Sequence, residues 1–178
     1  MLIAAEKYQS NLVEYILYMF HIEDVIRAHN FDITELENKV ISKYNLPESK
    51  IAEVRKWYKK LVSEMEREDI KEIGHLSSLV ELGHKLNDLH IQLLNTLEED
   101  RYKELYHWAS PHIKELKSKM NKPSLTEVEV CLNGLYALML MKMKGREVSD
   151  QTSEAMSLFG QLLKYLSKKH FEIEQAAN

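Results

Sequence analysis

The stretch LVEYILYMFHIEDVIRA, residues Leu12 to Ala28, decides how the rest of the chain is read. It is apolar on nearly every side of a helix, yet it carries Glu23, Asp24 and Arg27 near its C-terminal end. A helix that is apolar all round either crosses a membrane or fills the middle of a core. A membrane span needs about 20 consecutive apolar residues, and Glu14, Glu23, Asp24 and Arg27 interrupt this segment well short of that. The core reading follows. It brings a requirement, because isolated ions buried in a core are very costly and need partners.

Outward from this segment, apolar residues recur at helical spacing, and no alternating strand pattern of useful length intervenes. The spacing predicts a first helix over Ile3 to Ala28. Asp32 caps a second with Glu35 three residues on, running to Tyr44. Pro47 starts a third at its first-turn position, with Ile51, Val54, Tyr58, Leu61 and Met65 inward. A fourth covers Leu76 to Leu97, and a fifth covers Glu98 to Met120 with Pro111 inside it, where a proline should kink or split a helix. Ser124 and Glu127 box the start of a sixth, which ends at Gly145. Ser149 opens a seventh. The sixth helix, VEVCLNGLYALMLMKM from Val128 to Met143, matches the first in its nearly continuous apolar character. The expectation is an all-α, single-domain bundle over residues 1–178: seven helices, or eight if Pro111 splits the fifth. Two central, largely apolar helices would be surrounded by amphipathic ones, packed antiparallel through short connections.

Composition agrees. A chain of 178 residues with 5 glycines and 3 prolines leaves few places to turn and is long enough to bury a core without staples. Its charged residues, 29 % of the chain, nearly balance at a net charge of −4, so the basic excess that marks nucleic-acid binding is missing. The run Arg55, Lys56, Lys59, Lys60 around Trp57 and Tyr58 reads as a solvated helix face. The lone Cys131 excludes an intramolecular disulfide and reads as a small buried hydrophobe. Glu6 stands where a signal peptide would continue its apolar run. A cytoplasmic location, with neither membrane nor nucleic acid as partner, is the expectation.

Three helices place an ionisable group in the middle of an inward stripe, since positions three and four apart share a face. On the first, Glu23 follows Leu12, Ile16 and Met19, with Arg27 one turn beyond. On the fourth, His90 lies among Leu79, Gly83, Leu86, Leu93 and Leu97. On the sixth, Glu129 precedes Leu132, Tyr136, Met139 and Met143, with Asn133 one turn on. The candidate cluster is therefore Glu23, Arg27, His90, Glu129 and Asn133. It has two readings. One is a buried ion-pair network that fixes helix register. The other is a ligand or catalytic site, with Arg27 clamping an anion and a carboxylate acting as base.

Other chemistry is harder to support. Glu81-x-x-His84 and Glu104-x-x-His107 have the spacing of di-iron carboxylate bundles, but both pairs face away from their apolar stripes, whereas a bundle metal site needs its ligands inside. The inward alternative, Asn87-x-x-His90, offers an amide where a carboxylate is required. No metal and no cofactor is expected. His75 reads as a loop residue and His112 as a packing histidine. There is no glycine-rich phosphate loop and no nucleophile elbow.

The segments EYILYMFHIEDVIRAHNFD, GHL at Gly74 to Leu76, NDLHIQLL at Asn87 to Leu94 and EVCLNGLYALML at Glu129 to Leu140 together resemble an uncharacterised bacterial family. Its members are all-helical proteins of about this length from anaerobic gut bacteria, classed as a domain of unknown function. The resemblance implies an all-α single domain and no established activity, so it transfers no catalytic residues. The leading expectation is a cytoplasmic all-α interaction or structural protein, forming a homo-oligomer or acting through a protein partner, with Trp57 and Trp108 at the margins of their stripes. The alternative is a small-ligand binder or enzyme using Glu23, Arg27, His90 and Glu129 as an anion-binding or acid/base site.

Overall fold

The computed structural model describes residues 2–97 and 99–176. Among them are eight α-helices and no strand: α1 (Leu2–Ser10), α2 (Leu12–Ala28), α3 (Ile33–Lys39), α4 (Glu48–Arg67), α5 (Ser77–Asn95), α6 (Asp100–Met120), α7 (Glu127–Met143) and α8 (Asp150–Ala176), with a 3-10 turn at Ile41–Lys43 between α3 and α4. The chain is all-α, as its periodicity requires. Glu98, the expected first residue of the fifth helix, lies outside the described residues.

The eighth helix arises at a different place from the one expected. Pro111 does not split α6, which runs through it from Asp100 to Met120. Pro111 and His107 are both exposed, so the carbonyl of His107, which the proline leaves without its helical donor, belongs to the solvent side. The break falls instead at Asn11, inside the predicted first helix. Asn11 Oδ1 accepts a hydrogen bond from the Val13 amide at 3.1 Å, an N-cap arrangement. The Leu12 amide donates to the Ser167 hydroxyl of α8 at 2.9 Å. Two orphan donors of a new helix start are thereby satisfied, and Ser167, only 2 % exposed, gains its reason to be buried.

Helix ends follow local chemistry. Asp32 caps α3 through the amides of Thr34 and Glu35. The α7 cap is Thr126 with Glu129, two residues later than Ser124 with Glu127. Pro47 occupies the N-cap of α4 rather than its first turn. At the other ends, Asn30, Asp69 and Gly145 take left-handed φ values of 51°, 54° and 65°. Each is followed by an amide that reaches back five residues: Phe31 to the Ile26 carbonyl, Ile70 to Met65 and Arg146 to Met141. These are Schellman closures, in which asparagine and aspartate do what glycine does most easily.

The described residues form two compact units. The first comprises α1, α2 from Glu14 onward, α3, the 3-10 turn, α4 and the start of α5 to Val80; the second comprises Asn11–Val13 and the chain after Val80. In the first, Ile16, Met19, Ile26, Leu36, Tyr58 and Met65 are among the buried side chains; in the second, Leu86, Leu93, Tyr102, Ile113, Phe159 and Leu163 are. Each fully buried aliphatic side chain contributes roughly 1.5–3 kcal/mol. In the second unit α7 lies close to its neighbours because of Gly134: a Cβ there would meet Leu116 Cδ2 at 2.9 Å and the Met156 thioether at 3.3 Å. Past Gly134 the same helix changes character, and none of Leu135 to Met143 is fully buried. No helix among the described residues is long and apolar enough to cross a membrane.

Candidate functional site

The predicted cluster resolves into separate constellations, each finding its partners within its own unit. In the first unit Glu23 is 0 % exposed. Its Oε2 accepts from His75 Nδ1 at 2.6 Å, and its Oε1 accepts from the Leu76 amide at 2.9 Å. Leu76 directly precedes α5, so the carboxylate closes an orphan donor where the helix dipole favours negative charge. The His75 ring stacks on Phe20, with centroids 3.5 Å apart and planes 15° apart. Glu68 adds a second acidic cap, accepting from the Ser77 amide at 2.7 Å and the Ser77 hydroxyl at 3.1 Å.

Arg27, one turn beyond Glu23, does not pair with it. Its Nε and Nη2 donate to the Ile70 carbonyl at 3.3 and 3.1 Å, Nη2 also donates to the Gly74 carbonyl, and Nη1 bonds Asp24 at 2.9 Å. Gly74 itself sits at φ +100°, a conformation that glycine adopts without a Cβ penalty. The planar fork of a guanidinium suits several acceptors at once. Glu23 and Arg27 therefore fasten one feature, the α4–α5 connection, from two sides. His75, read from sequence as a loop residue, is the side chain that completes the arrangement.

In the second unit His90 is 4 % exposed. Its Nδ1 lies 2.6 Å from the Tyr102 hydroxyl, and its Nε2 lies 3.3 Å from Glu127 Oε2. Burial first, then the nearby Cys131 and Glu127, push the Tyr102 phenol well above its ordinary range. Tyr102 thus keeps its proton and meets His90 Nδ1 as a phenol. The Nε2–Oε2 approach is short enough for ion pairing but badly aimed, so the buried Oε2 lacks a well-formed hydrogen bond. The other oxygen accepts from Tyr106 at 3.2 Å. The His90 contact, opposed by burial and aided by Tyr106 and Lys114, holds the Glu127 carboxyl below the usual range. Burial and Glu127 together push Tyr106 up to about 12. Cys131 is raised far above the thiol range, by burial first, and is an inert thiol rather than a nucleophile.

The shift of the α7 cap exchanges the roles of two glutamates. Glu129 caps its own helix, with Oε2 2.7 Å from the Thr126 amide and 2.8 Å from its hydroxyl, and Oε1 3.7 Å from His84 Nε2. Glu127 is the residue that faces His90. Asn133 donates to the Glu129 carbonyl at 2.7 Å, a bond within its own helix. His84 and His107, with Glu81 and Glu104, are exposed, and no group of three or more histidine, cysteine, aspartate or glutamate residues suited to a metal occurs among the described residues. His112 lines a small cleft of about 120 Å³ with Leu116, Met156 and Phe159.

All-α architecture, acidic caps on buried helix starts and a tyrosine–histidine–glutamate array define a helical protein whose polar groups bind chiefly one another. The chain belongs to the family described as a domain of unknown function (DUF4924), which matches residues 1–177. No curated protein and no solved structure matches the chain.

Proposed function

We propose that the protein is a cytoplasmic all-α interaction module rather than an enzyme, acting through a second copy of itself or a protein partner. The observation that carries this reading is the closure of Glu23, which is fully buried with both oxygens engaged by His75 and the Leu76 amide. A carboxylate committed to a helix start is a fastening, since a catalytic base must present a free oxygen to substrate. Arg27, Glu129 and Asn133 are likewise held by backbone or near neighbours. Apolar side chains left at the surface, Trp108 at 60 % and Met143 at 62 % exposure, supply the aromatic and methionine contact area that interfaces favour.

Light scattering across a hundredfold range of protein concentration tests self-association, with Trp108→Ser and Met143→Ser as variants. A concentration-dependent rise in mass that either substitution abolishes supports the reading. A turnover activity or ligand-induced stabilisation that disappears in His90→Gln would overturn it in favour of an active site around Glu127.

A further inference from the structure

We infer that the first unit holds a binding site for a small organic oxyanion, a carboxylate or a phosphate monoester, in the cleft between the end of α2 and the 3-10 turn. The cleft has a volume of about 670 Å³, within the range that small-ligand sites occupy. A second hollow of about 510 Å³ continues from it, sharing Asn38, Lys43 and Tyr44.

Three features give the cleft its chemistry. The first is charge. Of the acidic groups around it, Glu35 is paired with Lys39 at 3.0 Å, Glu37 with Arg55 at 2.8 Å, and Asp32 with the α3 amides; Glu48 lies on the wall of the second hollow and not of this cleft. The Lys43 side chain has no ion-pair or hydrogen-bond partner among the described residues, so its ammonium is an uncompensated charge on the wall. The second is a fixed tautomer. His29 Nδ1 donates to the Val25 carbonyl at 2.8 Å, which leaves Nε2 of the neutral ring as an acceptor, able to meet the hydroxyl of a protonated phosphate or acid. The Asn38 amide, bonded to nothing among the described residues, adds two donors and an acceptor. The third is an apolar wall of Val25, Val40 and the Tyr44 ring, whose hydroxyl turns to Tyr58 at 3.3 Å. A charged head with a short hydrocarbon body fits this division.

The backbone beside His29 is also held in an uncommon form. Asn30 and Phe31 both take positive φ, 51° and 62°. For a bulky phenylalanine this is an outlier, and Lys71 lies 5.5 Å above its ring. Strain of this kind persists only where the surroundings fix it, and here the bond from the Phe31 amide to the Ile26 carbonyl at 3.1 Å holds the turn that follows His29.

The test is a two-dimensional NMR titration of the full chain with inorganic phosphate and, separately, with benzoate, at constant ionic strength set by sodium chloride. Saturable shifts at the His29 imidazole, Lys43 and the Tyr44 ring with either probe support the site; phosphate alone or benzoate alone identifies which oxyanion it takes. Lys43→Gln, at an exposed position, should weaken binding about tenfold or more, the worth of one charge-assisted hydrogen bond. Lys164→Gln on α8 should leave it unchanged. Shifts that fail to saturate with both probes, that centre elsewhere, or that survive Lys43→Gln at full affinity overturn the inference.

Discussion

Glu23 and Glu127 are both glutamates facing a histidine, and the two units use them differently. Glu23 gives one oxygen to a backbone amide at a helix start and the other to a ring stacked on Phe20, with no exposure at all. Among the described residues Glu127 meets side chains, His90 and Tyr106, and it keeps 28 % of its own side chain exposed. A backbone amide cannot turn away when its acceptor is lost, so the first unit depends on its carboxylate more rigidly. Side chains rotate, and water reaches a partly exposed group, so the second unit has other ways to satisfy its array.

The largest effect should therefore come from Glu23→Ala, which leaves the Leu76 amide and His75 without an acceptor. A loss on the order of 3–5 kcal/mol is expected in denaturant melts, with Glu23→Gln milder because its carbonyl can still accept from Leu76. Equal losses for alanine and glutamine would mean that charge rather than capping dominates. Next comes Arg27→Ala, at about 2–3 kcal/mol, because the Ile70 and Gly74 carbonyls lose a charged donor. Arg27→Lys should recover less than half of this, since one ammonium cannot reproduce the fork. Full recovery would show that the guanidinium geometry is immaterial. Tyr102→Phe removes one buried hydroxyl and leaves His90 Nδ1 unpaired, for about 1–3 kcal/mol, and a silent substitution would remove the array from the folding energetics.

The acid limb of the stability curve sharpens the contrast. Glu127 has a folded pKa depressed by His90 and Tyr106. Its stabilisation is present above the unfolded glutamate value of about 4.3 and is lost as pH falls through the lower folded value. Melts of Glu127→Gln between pH 7 and 3 should fall less steeply than wild type in that window, and parallel curves would contradict the assignment. The smallest effect belongs to His84→Ala. At 56 % side-chain exposure and 3.7 Å from Glu129, it should change stability by less than about 0.5 kcal/mol, and a larger loss would give the rim contact a structural weight that its geometry does not suggest.

The helices were legible because long apolar periodicities are broken by few glycines and prolines, and because caps such as Asp32 and the stop at Gly145 are local signals. The fine register was not. Both Ser124-x-x-Glu127 and Thr126-x-x-Glu129 satisfy the capping pattern, and sequence gives no means of choosing between them. Packing chooses Thr126, and two glutamates exchange roles. The break at Asn11 was equally hidden, because the acceptor that makes it tolerable, the Ser167 hydroxyl, lies 155 residues further along the sequence. His75 reads as a loop residue for a related reason: a histidine after a glycine in a connection looks free until a carboxylate 52 residues earlier is seen beside it. At Pro111 a local rule overstated the break, since an exposed helix face gives water access to the carbonyl that the proline leaves unpaired.

The hydrogen bond from Leu12 to Ser167 joins positions 155 residues apart. During synthesis at about 5–20 residues per second, the start of α2 is complete many seconds before the helix that caps it emerges. The first unit, save for the Asn11–Val13 insertion that belongs to the second, is continuous in sequence to Val80 and has no such wait. A nascent chain arrested before α8 should accordingly protect α4 from protease while the peptide bonds around Asn11 stay open to cleavage, so that this short joint records whether α8 has emerged.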